Sequence, residues 1–203
     1  MYKYPIIVFE GIEASGKSEQ IKNVIKYLKN IRRKFIKIRE PGGSKYSENI
    51  RNLILNKKSK LNYKTDLLLI LASRSENIDK IIRKFYKKKI ILIDRFTDST
   101  IAYQHFGMGI NVNLIKKINN FVIENYKPDF TFLNIVNQSN MRKRLKLRVN
   151  KNKYDYFGKN FYRKVQNGFL KISKNKKKYM IINSNNDINK NKSIILKKVI
   201  NLI

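Results

Sequence analysis

The chain has 203 residues, with 46 Lys or Arg against 14 Asp or Glu, a formal charge of +32, no cysteine and one histidine, His105. That length favours a single domain, 1–203, whose core needs neither disulfide nor metal staples. The missing cysteines exclude a disulfide framework, a thiolate zinc site and a thiol nucleophile, and the lone histidine supplies no histidine cluster or triad.

In chain order, residues 6–9 read as a fully buried strand. Residues 17–30 carry apolar positions at Ile21, Val24, Ile25 and Leu28, which is helical spacing. Residues 35–38 predict a second strand, closed by the turn "EPGG". Helices are predicted over 47–55 and 67–85, then a third buried strand over 90–93 and an amphipathic helix over 110–126. A fourth strand at 130–133, helices at 141–148 and 157–173, a fifth strand at 179–182 and a closing helix at 188–203 complete the pattern. Short apolar strands alternating with helices predict a parallel sheet covered on both faces. The basic stretch 148–153 lacks apolar periodicity and reads as a mobile loop. Residues 6–9 stop at Glu10 and no apolar run approaches the ~20 residues of a membrane span. A cytoplasmic location without membrane association is therefore expected.

The charge admits two readings. A nucleic-acid face is one. The other is composition, because Lys, Asn and Ile recur in loops and on solvent faces alike, as in "VNKNKYDY" and "NDINKNKSII". The second is preferred, so nucleic acid is not expected as a partner, although the field attracts polyanions in general.

Three motifs carry chemistry. Gly11-Ile12-Glu13-Ala14-Ser15-Gly16-Lys17-Ser18 matches G-x-x-x-x-G-K-S/T, and it follows a buried strand and opens a helix, as a phosphate cradle requires. The glycines let the backbone turn its amides inward, and the helix adds its positive dipole end. Lys17 is expected at the β- and γ-phosphates and the Ser18 hydroxyl at magnesium. In "IILIDR" a buried strand ends in Asp94 and Arg95, at the end where open α/β sheets hold ligands. Asp94 is placed to hold magnesium and Arg95 to bridge two phosphates; the alternative is a surface ion pair capping the next helix. The basic run with Arg142, Arg144, Arg148, Lys151 and Lys153 is either a cationic lid that closes over the γ-phosphate or a solvated charge run.

With these motifs stand "REPGGS" at residues 39–44, "LASR" at 71–74, "DRFTDSTIAYQ" at 94–104 and "YKPDFTFLN" at 126–134. Together, and in this order, they resemble thymidylate kinase of the bacterial type over nearly the whole chain. The resemblance implies an α/β fold of the P-loop NTPase type, three-layered, with a five-stranded parallel sheet, helices on both faces and a short mobile lid at about 148–157. It implies ATP as donor, Mg2+, thymidine monophosphate as acceptor, and a homodimer formed through helix 67–85. It makes Lys17, Arg95, Glu13 and Arg148 catalytic and brings Glu10 to magnesium through water. Arg39, Pro41 and Arg51 would line the acceptor pocket. Arg74 would bond the thymine edge, with Ser99, Thr100 and Gln104 beside the base and Tyr103 against the deoxyribose. Three positions depart from the family pattern. Ile70 replaces the aromatic residue that stacks on thymine, Asn152-Lys153-Tyr154-Asp155 replaces Asp-Arg-apolar-Glu in the lid, and Asn183-Ser184 replaces Asp-Ala beside adenine. The alternatives are another P-loop nucleoside or nucleotide kinase, or a nucleic-acid-binding P-loop ATPase.

Overall fold

Strand β1 (Ile6–Glu10) is buried along its whole length, as a strand covered on both faces must be. In the computed structural model, which describes residues 4–174 and 177–203, it is the middle strand of a sheet in the order β2-β3-β1-β4-β5. The others are β2 (Phe35–Arg39), β3 (Ile90–Asp94), β4 (Phe130–Ile135) and β5 (Tyr179–Asn183), and every neighbouring pair is parallel.

Alternation along β1 divides the core. Ile7 and Phe9 point to one face and pack with Ile21, Val24 and Leu28 of α1 (Lys17–Asn30) and Ile195 and Val199 of α9 (Ile188–Ile200). Ile6 and Val8 point to the other and pack with Ile78, Ile82 and Ile123. Ile78 and Ile82 belong to one long helical rod. It begins as α3 (Tyr63–Asn77), widens through a π-type stretch (Ile78–Ile82) and ends as α4 (Arg83–Phe85). Ile123 closes α6 (Val112–Ile123). The result is the predicted three-layer arrangement.

Helix starts are set by caps rather than by the first apolar residue. Ser44 accepts from the Ser47 amide and starts α2 (Lys45–Leu55); Asn62 accepts from the Thr65 amide and starts α3 four residues before its predicted start. Asn137 likewise starts α7 (Gln138–Lys146), and α8 (Lys159–Ser173) follows Gly158. Helix α6 is shorter than predicted, capped by Asn111 and stopped where Glu124 turns to φ 49°.

A helical stretch without counterpart in the predicted elements is α5 (Thr97–Thr100), continuing as a π-type run through Ile101–Gly107. It carries β-branched Thr97, Thr100 and Ile101 and no local side-chain cap. Its first amides are instead held by a carboxylate from β1. Glu10 Oε1 accepts from the Phe96 and Ser99 amides at 2.8 and 3.2 Å, from more than eighty residues away in sequence. Local periodicity does not register such a cap.

Among the described residues, no helix is long and apolar enough to cross a membrane.

Candidate active site

The carboxyl ends of the strands open into a cavity of about 570 Å³. Register brings Arg39 beside Asp94, and Asp94 beside Phe9, so the ends of β2, β3 and β1 meet at one rim. Residues 13–18 of the glycine-rich loop line the cavity; Gly11 and Ile12 do not. Gly11 sits at φ +138°, and a Cβ there would lie 2.2 Å from the Asn134 carbonyl oxygen, so only glycine fits. The Gly11 and Ile12 carbonyls accept from Lys17 Nζ at 2.9 and 2.8 Å. Lys17 is thus buried within its own loop, 6% exposed. Burial, then the neighbouring Arg95 charge, pushes its pKa down to about 8.

The Ser18 hydroxyl lies 3.4 Å from Asp94 Oδ2, directly beyond the loop. These two oxygens form a small hard-ligand pair. The described residues hold no group of three or more His, Cys, Asp or Glu that could enclose a metal ion. Glu10, which the resemblance brings to magnesium through water, is held by protein partners. It does not line the cavity; both its oxygens are engaged by Phe96 and Ser99. Burial, and secondarily Asp98, raise its pKa to about 7. Its task in this structure is to cap the helical stretch that carries the next residues of the site.

Arg95 leaves β3 with φ 69°, in the left-handed region, a departure that costs about 1–3 kcal/mol for a non-glycine residue. The turn aims its guidanidinium back over the loop. Nη1 donates to the Gly11 carbonyl at 2.7 Å and Nη2 to Glu13 Oε1 at 2.9 Å. The other Glu13 oxygen accepts from the Tyr103 hydroxyl, and the Tyr103 ring lies 5.1 Å from the guanidinium. Burial alone would lower the Arg95 pKa, but Tyr103, Glu13 and Asp94 more than reverse this, so the cation is firmly held. Asp94 and Arg95 do not form a simple surface ion pair.

The other end of the cavity is lined by Arg39, Pro41, Arg51, Ile70, Arg74 and the α5 stretch. Arg51 Nη1 donates to the Pro41 carbonyl at 2.6 Å; burial, then Arg39, lowers its pKa to about 10. Arg74 is 1% exposed and donates through Nε to buried Glu40 at 2.7 Å and through Nη1 to Asn119. Nη2 takes part in neither bond. Ile70, one helical turn earlier, lines the cavity while packing into the apolar cluster with Tyr103 and Ile54. Ser99, Thr100 and Gln104 also line it, and the buried Thr100 hydroxyl has no hydrogen-bond partner among the described residues. Such an orphan on a cavity wall is the mark of a group awaiting a ligand or water.

The basic run splits into distinct roles. Arg148 lines the cavity, and its Nη1 donates to Asp155 at 2.8 Å. Arg144 bonds the Ala14 carbonyl at 3.1 Å and the Ser184 carbonyl at 2.7 Å, tying α7 to the glycine-rich loop and the end of β5. Spacing alone gives Arg144 no individual role; its place one helical turn before Arg148 is the available signal. Lys153 does not line the cavity and points to α3. Residues 153–156 form one 3₁₀ turn with a capping box between Asn152 and Asp155. Asn152 and Tyr154 both line the cavity, which the charge pattern gives no reason to expect.

A parallel sheet in this order, with a G-x-x-x-x-G-K-S loop after its middle strand and a cavity carrying several cations at its carboxyl end, defines a P-loop phosphotransferase. The sequence pattern of the family described as thymidylate kinase matches residues 9–195. The thymidylate kinase of Thermosipho africanus is 37% identical over 90% of both chains, and that of Mycoplasma capricolum subsp. capricolum 38% identical over 95% of both. The crystal structure of thymidylate kinase from Ehrlichia chaffeensis superposes with a TM-score of 0.78 at 35% identity, covering 97% of this chain and 98% of the other. The chain belongs to the thymidylate kinase family.

Proposed function

We propose that this protein transfers the γ-phosphoryl group of ATP to thymidine monophosphate, giving ADP and thymidine diphosphate. The observation that carries the reading is the continuity of one cavity, from Lys17 and Ser18 past Arg95 to Ile70, Arg74 and Tyr103. A donor and an acceptor placed at its two ends would meet at Arg95. An acceptor phosphate oxygen, already ionised near neutral pH, attacks the γ-phosphorus in line. No histidine or thiol base is required, because positioning and cations supply most of the catalysis in such reactions. Lys17 exchanges the Gly11 and Ile12 carbonyls for phosphate oxygens. Glu13 and Tyr103 hold the Arg95 fork, which bridges the two phosphates, and Arg148 approaches from the lid. Ser18 and Asp94 fit magnesium, whose remaining ligands would be phosphate oxygens and water. When bound, the ion offsets charge on the transferring phosphates.

The same reading takes residues 1–203 as one catalytic domain in the cytoplasm, with no nucleic-acid role for its charge. It also takes the protein as a homodimer. In support, Leu53 of α2, Leu68 of α3, and Leu114 and Phe121 of α6 are all about half exposed or more, on helices packed side by side.

Two substitutions test the acceptor end. If Ile70 covers the face of the base, Ile70→Phe should tighten thymidine monophosphate binding by roughly three- to tenfold, the value of an aromatic stack over an aliphatic contact. Maximal turnover should change little, because the base does not react. Acceptor titration and melting temperature on the same variant decide this. A loss of stability of about 1–3 kcal/mol from overpacking, without tighter binding, would make Ile70 a core residue only.

Tyr103 is expected to fill the space beside the sugar C2′. Tyr103→Ala should raise the relative use of ribonucleotide acceptors and lower use of the deoxy substrate. Because the hydroxyl also holds Glu13, Tyr103→Phe is the control: it should keep sugar discrimination while lowering kcat. An unchanged deoxy-to-ribo ratio in the alanine variant would remove Tyr103 from the sugar site.

A further inference from the structure

Lys153 stands in the basic lid run, yet its ammonium does not face the phosphate loop. Nζ donates to both carboxylate oxygens of Asp66, at 2.9 and 2.6 Å. The Asp66 side chain is fully buried and that of Lys153 is 14% exposed, so the pair is sheltered from the screening that weakens surface pairs. Among the described residues, no other side chain bonds that carboxylate.

The partner's position gives the contact its meaning. Asp66, Ile70 and Arg74 recur every four residues on α3 and all are buried, which sets them on one face of the helix. The lid therefore grips the same face that carries the residues at the acceptor end. The neighbours of Lys153 in sequence, Asn152 and Tyr154, form part of the cavity wall. The Tyr154 ring meets that of Tyr103 at 5.8 Å, and its carbonyl accepts from the Tyr162 hydroxyl. The capping box already shapes the turn itself, so the lysine is not needed to form it. What the lysine adds is attachment. A buried carboxylate is costly unless its partner stays in place, so lifting the lid would leave Asp66 without compensation.

We propose that Lys153 and Asp66 form a latch, and that Lys153 is a positioning residue for phosphoryl transfer. It holds Asn152 and Tyr154 in the cavity wall and couples the acceptor-side helix to closure over the donor. The kinetic consequence rests on the kinase reading above; the latch itself does not.

The experiment measures amide hydrogen exchange at residues 152–156 in the ligand-free protein, together with steady-state kinetics for ATP and thymidine monophosphate. The variants are Lys153→Met, Lys153→Arg, Asp66→Asn and the Lys153→Met/Asp66→Asn pair. Lys153→Met should speed exchange in this segment and raise the acceptor KM on the order of tenfold, within the usual range of coupling between sites, with a smaller change in kcat. Lys153→Arg should restore both readouts, because a guanidinium also bridges two carboxylate oxygens. The double variant should be no worse than the poorer single one. Unchanged exchange and an unchanged acceptor KM in folded Lys153→Met would overturn the latch, as would effects that multiply in the double variant. If Asp66→Asn does not fold, the two Lys153 variants decide the matter. A wild-type protein that fails to use thymidine monophosphate would refute the functional reading, and the exchange measurement would still judge the latch.

Discussion

Lys17→Ala should lower kcat by about 10²–10³-fold, the loss typical when one preorganised charge-stabilising donor is removed from a reacting centre. The lysine is not a loosely held surface cation. It is buried against the Gly11 and Ile12 carbonyls, already sited where a phosphate chain would replace those oxygens. Its loss also leaves the Ile12 carbonyl without this donor, while the Gly11 carbonyl keeps Arg95, a stability cost of about 1–3 kcal/mol for a buried polar group. Melting temperature therefore has to be measured beside turnover. The lysine's depressed pKa of about 8 adds a pH signature. The free enzyme carries the cation below that pH and loses it above. Wild-type kcat/KM should thus fall as pH rises through about 8, and the alanine variant should lack that limb. Near-wild-type turnover in Lys17→Ala would remove the phosphate-cradle assignment.

Arg95→Lys is the second large expected effect. The structure gives the guanidinium three simultaneous tasks: a bond to the Gly11 carbonyl, an ion pair with Glu13 and a face-on approach to Tyr103. A planar fork can keep these while presenting a further edge to phosphate oxygens; a single ammonium cannot match that geometry. Charge is conserved in the lysine variant, so a loss of turnover reports geometry rather than charge. A misplacement of about 1 Å can cost on the order of 10²-fold, and that is the expected fall in kcat. Thermal stability should fall less, since lysine can still pair with Glu13. A variant with reduced stability but normal turnover would make Arg95 a structural residue of the loop.

The strands were the most legible part of the sequence. Each is a short apolar run, and all five lie within one or two residues of the positions that periodicity predicts. The helix starts were less legible, because Asn62 and Asn137 set them from outside the apolar pattern. The α5 stretch was illegible for a deeper reason: its cap is Glu10, which only the sheet brings near. The same contact gives Glu10 a capping task that the resemblance does not imply. The glycine-rich loop, Asp94 and Arg95 could be read directly, since the chemistry follows from adjacent residues. Arg144 and Tyr154 could not, since their value comes from what they touch across the cavity. Lys153 was legible as a lid cation, but its partner Asp66 lies 87 residues away and was not.

The most direct test of the central claim is ADP release from ATP and magnesium, measured across a panel of nucleoside monophosphates with and without added DNA or RNA. The account predicts turnover that depends on thymidine monophosphate, yields thymidine diphosphate in equal amount to ADP, and does not rise with nucleic acid. ATP hydrolysis stimulated by DNA or RNA, with no phosphorylation of thymidine monophosphate, would contradict it.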